Sequence, residues 1–189
     1  MGKNTANWNK KREVMRNYDS SAAAYDKQYT EEQTAKIRIV LQNIGNSKVN
    51  LALDNGCGTG LLFTHIQGFA DSIVGLDFSS KLLKRAKKRA KHVPNVAVVR
   101  ADADHLPFLE QTFDAAFAMT LLQNMPNPID TLREMKRVCK HGSTLAVTGL
   151  KKEFPLEKFE SLLDQTRLKI SPIQTNDQSK DYVAICRRL

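Results

Sequence analysis

Leu53-Asp54-Asn55-Gly56-Cys57-Gly58-Thr59-Gly60 decides the fold. A short apolar run over residues 49–54 enters it as a strand, and a helical pattern over residues 61–68 leaves it. Glycine tolerates positive φ and leaves the backbone bare, so a ligand can approach closely; three glycines this near together are costly without such a purpose. In open α/β sheets that approach happens beyond the carboxyl ends of the strands, where the strand order reverses. The spacing here is GxGxG. Leu61 stands where a GxGxxG dinucleotide fingerprint needs its third glycine, which argues against a dehydrogenase. Asp77 follows Gly56 by 21 residues and ends the next strand, where an acid is placed to hydrogen-bond ribose hydroxyls.

The pattern outside this turn alternates. Residues 72–77, 96–100, 113–119 and 144–149 read as strands, and residues 79–92, 129–140 and 157–166 as helices. Strands alternating with helices imply a parallel sheet covered on both faces. Two closing strands, residues 168–173 and 182–186, are joined by only residues 174–181. A parallel crossover needs a dozen residues or more, so this pair is expected to be an antiparallel hairpin. Upstream, Ile37, Val40, Leu41 and Ile44 mark a helix over residues 31–44 that Gly45 stops, and Ser20 and Ser21 can cap a helix beginning near Ala22. Residues 1–17 form a basic arm expected to fray or to order only by docking, with Trp8 as its one apolar anchor. Residues 18–189 form the domain.

Composition sets the outer bounds. The chain has 189 residues, 41% hydrophobic and 26% charged, which fits one globular domain able to bury a core. No apolar run is long enough for a membrane span, and the polar, basic N-terminus carries no secretory h-region. Cys57, Cys139 and Cys186 form neither a CxxC pair nor a zinc pattern, so a reduced, cytoplasmic protein without a metal site is expected. The net charge of +9 suggests an anionic partner.

The motifs together resemble class I S-adenosylmethionine-dependent methyltransferases of the small, single-domain type 11 kind. Leu53 to Gly60 is similar to their first motif, with Asn55 where a hydrophobic residue is commoner. Val74-Gly75-Leu76-Asp77-Phe78-Ser79 resembles the second, Ala101-Asp102-Ala103-Asp104-His105-Leu106-Pro107-Phe108 the third, and residues 113–128 the fourth. The resemblance covers nearly the whole chain. It implies an α/β, Rossmann-like, doubly wound seven-stranded sheet of order 3-2-1-4-5-7-6 with strand 7 antiparallel. It implies S-adenosyl-L-methionine as cofactor, with Asp77 on the ribose, Asp102 on the adenine amino group and the Ala103 N–H near the ring. Gly56, Gly58 and Gly60 form the turn against it. Cys57 inside that turn, Phe78 after the ribose acid and Thr120 past the fourth strand are counted among the contacting residues, although the Cys57 thiol reads as packing. Asp54 either adds negative charge near the cationic sulfonium and ammonium or simply caps the turn. Tyr18, Tyr25 and Tyr29 lie in N-terminal helices that often cover the cofactor in this family.

The expected chemistry is direct methyl transfer to an O, N or C nucleophile. The sulfonium is already activated, so the protein mainly aligns the reacting atoms. No general base stands out. Gln123 and Asn124 can hydrogen-bond a substrate but cannot act as bases, and His105 is the only histidine expected near the cleft. No NPPY-like motif and no Pro-Cys nucleophile are present. Lys81, Lys84, Arg85, Lys87, Lys88, Arg89 and Lys91 load one helix with positive charge, which places RNA or another translation component first among acceptors. A small quinone or lipid precursor is the alternative, ahead of a non-catalytic cofactor-binding module. The absence of an insertion between strands favours a large substrate, or a small activator subunit pairing with a sheet edge.

Overall fold

The computed structural model describes residues 2–22, 24–45, 47–175 and 179–189, and of residues 2–5 and 25 the backbone only. Its element order is α1 (Gly2–Ser21), α2 (Tyr25–Asn43), β1 (Val49–Asn55), α3 (Leu61–Ile66), β2 (Ala70–Asp77), α4 (Ser80–Ala90), β3 (Val96–Arg100), β4 (Phe113–Ala118), α5 (Pro128–Val138), β5 (Cys139–Leu150), α6 (Leu156–Asp164), β6 (Lys169–Ile170) and β7 (Asp181–Arg187). A single 3-10 turn, Leu122–Asn124, follows β4. The sheet order is β3-β2-β1-β4-β5-β7-β6. Strands β1 to β5 pair in parallel, and β7 runs antiparallel to both β5 and β6, as expected for the closing hairpin.

Each sheet face carries its own core. Ile37 and Val40 of α2, Phe63 and Ile66 of α3 and Leu83 and Ala86 of α4 pack on one side. Leu132 and Met135 of α5 and Phe159 and Leu163 of α6 pack on the other. The alternation inside β4 explains this: Ala115 and Phe117 face the first layer and Ala116 and Ala118 the second, with Phe113 joining the second across a register shift. Gly75 in β2 exists for packing, since a Cβ there would collide with Phe63.

Four local expectations differ from the structure. The stretch expected to fray or to order only by docking is a docked helix, α1, running unbroken past the division drawn between residues 17 and 18. Its sequence is polar all round, so tertiary anchors hold it: Trp8 packs on Phe78 with ring centroids 5.7 Å apart, and the Lys10 ammonium donates to the Met125 carbonyl at 3.3 Å. Ser20 and Ser21 close α1 rather than opening the next helix, their hydroxyls donating back to the Asn17 carbonyl at 2.7 and 3.0 Å. Strand β5 starts at Cys139, with a register shift between Phe113 and Ala115 on its neighbour and Gly142 at φ 77° absorbing the irregularity. Strand β6 stops after two residues; Ser171 N–H still donates to the Ile185 carbonyl at 2.9 Å, and the register then slips by one residue so that Gln174 bridges Val183.

Candidate functional site

The glycine turn is built as its sequence requires. Gly56, Gly58 and Gly60 sit at φ 80°, 55° and 76°. The N–H groups of Gly56 and Cys57 both donate to the Leu76 carbonyl at 2.8 Å, locking the turn onto the end of β2. A Cβ at Gly56 would come within 2.8 Å of Leu121 Cδ1, whereas a Cβ at Gly58 would meet nothing within 4 Å. Gly58 therefore presents bare backbone to open space.

That space is a cleft, narrowed to about 100 Å³ in this structure, lined by Gly56, Gly58, Asp77, Phe78, Asp102, Ala103 and Thr120 among others. Seven residues expected to contact a cofactor thus come together from four strand ends. Leu76, Leu82, Ala101, Met119, Leu121 and Met125 supply apolar walls, and Lys11, Val14, Met15 and Tyr18 of α1 close it over. Asp77 is fixed at its mouth: Gly58 N–H donates to Oδ2 at 2.9 Å and Ser79 N–H to Oδ1 at 2.8 Å. Burial raises its carboxyl above the usual range, and those backbone donors pull it back.

Asp54, Cys57 and Gly60 support the cleft from behind and do not line it. Asp54 is 1% exposed, and its Oδ2 has no hydrogen-bond partner among the described residues. Burial, helped by the neighbouring charge of Asp77, pushes its carboxyl up to about 8. The negative charge expected of Asp54 is thus absent from the cofactor-free chain at neutral pH. The Cys57 thiol is buried and pushed well above its ordinary value by burial, as a packed thiol should be.

A second chamber of about 580 Å³ adjoins the first, with Val14, Tyr18, Thr120 and Asn124 shared between the two walls. Helices α1 and α2, the turn after β4 and the segments flanking β7 build it, so the N-terminal helices do what a strand insertion would otherwise do. Thr120 holds the junction at φ 57°, an unusual value for a branched residue. Its hydroxyl accepts from Gln33 Nε2 at 3.0 Å and Lys36 Nζ at 3.1 Å, while its N–H donates to Thr148 Oγ1 at 2.8 Å. Lys36 is 3% exposed and is held by Asp181 at 2.7 Å and Glu32 at 3.1 Å. Asn124 Nδ2 donates to the Tyr18 hydroxyl and to the Thr120 carbonyl, both at 2.9 Å. Tyr29 and Gln123 also line this chamber. The Tyr25 side chain lies outside the described residues. His105 lines only an outer groove beside Asp130 and Arg133, so it does not join the junction.

Several of these roles carry no sequence signal. Gln33, Lys36 and Lys11 look like ordinary surface polars of amphipathic or polar helices. Arg85 and Arg89, grouped by sequence with the basic face of α4, instead bind Asp26 of α2 at 3.3 and 3.0 Å. Asp26 in turn accepts from the Thr59 hydroxyl at 2.6 Å, so these arginines brace the glycine turn.

The arrangement fits an adenosine-bearing cation. Buried Asp77 stands at the end of β2, Asp102 and the Ala103 backbone stand further along, and bare glycine backbone faces the space between. The sequence model of a family described as a methyltransferase domain matches residues 53–147. The demethylmenaquinone methyltransferase of Staphylococcus carnosus is 32% identical over 149 residues, covering 75% of this chain and 61% of that protein. The chain therefore spans less than two thirds of that relative. Among solved structures, a chain of the complex between the Haloferax volcanii Trm112 methyltransferase activator and a methyltransferase superposes with a TM-score of 0.77 at 15% identity, over 90% of this chain and 96% of that one. A SAM-dependent methyltransferase from Aquifex aeolicus does so with a TM-score of 0.73 at 20% identity, over 89% and 97%. At these identities the two structures speak to the fold.

Proposed function

The chain belongs to the methyltransferase domain family, the class I enzymes whose cofactor is S-adenosylmethionine, and from that premise we propose that it methylates a small acceptor seated in the second chamber. The cofactor supplies an activated methyl group on a sulfonium. The residues of this chain bind, orient and exclude water. Asp77 accepts the ribose hydroxyls, Asp102 and the Ala103 N–H take the adenine edge, and Gly58 lets the backbone come within contact distance. Tyr18, Thr120 and Asn124 form the partition where an acceptor atom meets the methyl. Burial raises the Tyr18 phenol above its ordinary value, so it is neutral and can donate a hydrogen bond. Rate then comes from alignment of the two reactants rather than from a side-chain base.

The observation that carries the acceptor is the chamber itself, which opens onto the cofactor cleft through those shared residues. A cavity of this size suits a molecule of the quinone- or lipid-precursor kind. The relative named for demethylmenaquinone supports that class. A calorimetric titration with S-adenosylhomocysteine tests the cofactor half: one site per chain is expected, and no heat would overturn it. An activator subunit, should this chain take one, has the open sheet edges β3 and β6 available.

RNA is the second reading, favoured by Lys81, Lys84, Lys87, Lys88 and Lys91, for which no acidic partner exists among the described residues. Replacing Lys84, Lys87, Lys88 and Lys91 together with Gln keeps good helix formers, so stability should shift by no more than about 0.5 kcal/mol. Cofactor affinity and methyl transfer are expected to persist, and only salt-sensitive retention on RNA to fall. Loss of transfer with cofactor affinity intact would move RNA ahead of the small acceptor.

A further inference from the structure

Helix α1 covers the cofactor cleft, and among its several anchors one residue ties it to the acid expected to hold the adenine. The Lys11 ammonium donates to Asp102 Oδ1 at 2.8 Å and Oδ2 at 2.7 Å, and it lies 2.8 Å from Asp104 Oδ2. These three contacts use all three ammonium protons. Both ends of the pair are largely shielded, with side-chain exposures of 11% for Lys11 and 14% for Asp102. Burial works against the charged ammonium, yet the hydrogen bonds and charges of the two aspartates outweigh it and raise its pKa. The Lys11 ammonium is therefore charged at neutral pH. Asp104 is held in turn by the Thr131 hydroxyl of α5, so the anchor is fixed to the core. One helical turn before Lys11, Trp8 rests on Phe78, itself part of the cleft wall.

Asp102 is the same carboxylate that the preceding section gives to the adenine amino group. We propose that Lys11 occupies that place in the cofactor-free chain, so that α1 is latched over the cleft and the cofactor enters only when the Lys11–Asp102 contacts open. The inference rests on the cofactor reading of the cleft and adds a gate to it. A latch differs from a ligand contact in its kinetics. Removing a latch that exists only in the free chain speeds entry, whereas losing a ligand contact speeds departure. Because Val14 and Tyr18 of α1 also wall the second chamber, the same opening exposes the acceptor site.

Trp8 is the chain's single tryptophan, so its emission reports α1 leaving Phe78. Stopped-flow mixing of the full chain with S-adenosylhomocysteine, read at Trp8, is the test. In Lys11→Met, which preserves helix propensity, association is expected to quicken by at least about tenfold while dissociation stays near the parent's rate, so that Kd falls in step. Lys11→Arg should retain slow association, since its guanidinium can rebuild the pair. Unchanged rates in Lys11→Met, or faster dissociation alone, would overturn the latch. A calorimetric titration of the parent separates the two levels: no binding there overturns the cofactor reading and the latch with it, whereas normal binding with ungated kinetics overturns only the latch.

Discussion

Asp77→Ala should weaken S-adenosylhomocysteine binding by roughly 10- to 150-fold, the equivalent of about 1.5–3 kcal/mol for hydrogen bonds to a charged acceptor. Two ribose hydroxyls lose their partner at once. The turn suffers as well, because Gly58 N–H and Ser79 N–H both donate to this carboxylate in the free chain. Asp77→Asn separates the two effects. Its amide oxygen can still accept from one backbone N–H, so the turn should hold better while affinity remains reduced. Calorimetric titration, with thermal melting as the check on folding, reads both variants. Parental affinity in a folded Asp77→Ala protein would remove the ribose assignment.

Gly58→Val should abolish measurable cofactor binding, a loss of roughly two orders of magnitude or more, since side-chain atoms cannot share space with a ligand in a close-packed site. Gly58 is the informative glycine of the three. At Gly56 an added Cβ would strike Leu121, and at Gly60 it would strike Phe63, so damage there falls on the protein. At Gly58 it would meet nothing but the cleft. The φ of 55° adds a penalty of about 1–2 kcal/mol for a branched residue, which should appear as a lowered but still cooperative melting transition. Normal titration by a folded Gly58→Val protein would show that the turn does not touch the ligand.

Much of this was legible in the sequence, for a specific reason. The glycine turn, Asp77 and Asp102 lie at strand ends, so local pattern and spacing place them without knowledge of long-range contacts. The closing hairpin followed from the length of its connection alone. Lys11 and Asp102 are 91 positions apart, and nothing local distinguishes Lys11 from its basic neighbours. The polar helix α1 has no apolar stripe to announce it; it forms because Trp8 and Lys11 find partners elsewhere. The second chamber escaped for the same reason. Its walls come from α1, α2 and the segments around β7, and only their assembly encloses a volume. Thr120 was singled out by position, but its positive φ and its bonds to Gln33 and Lys36 depend on the packing of α2 against the sheet.

The acceptor proposed from the chamber is not the one that the charge pattern suggests. Seven basic residues on α4 point to a polyanion, yet Arg85 and Arg89 are occupied with Asp26. The remaining lysines face away from α2 as a solvated surface, and surface charge of this kind governs association more than chemistry.

The most direct test of the account is methyl transfer itself. The full-length chain is incubated with S-adenosylmethionine labelled in the methyl group and with a cell extract divided into low-mass, RNA and protein fractions. Label is expected in the low-mass fraction, and Leu150→Trp, which fills the second chamber without touching the cofactor cleft, should abolish that transfer while leaving S-adenosylhomocysteine binding unchanged. Label in the RNA or protein fraction, or undiminished transfer by Leu150→Trp, would contradict the assignment of that chamber to the acceptor.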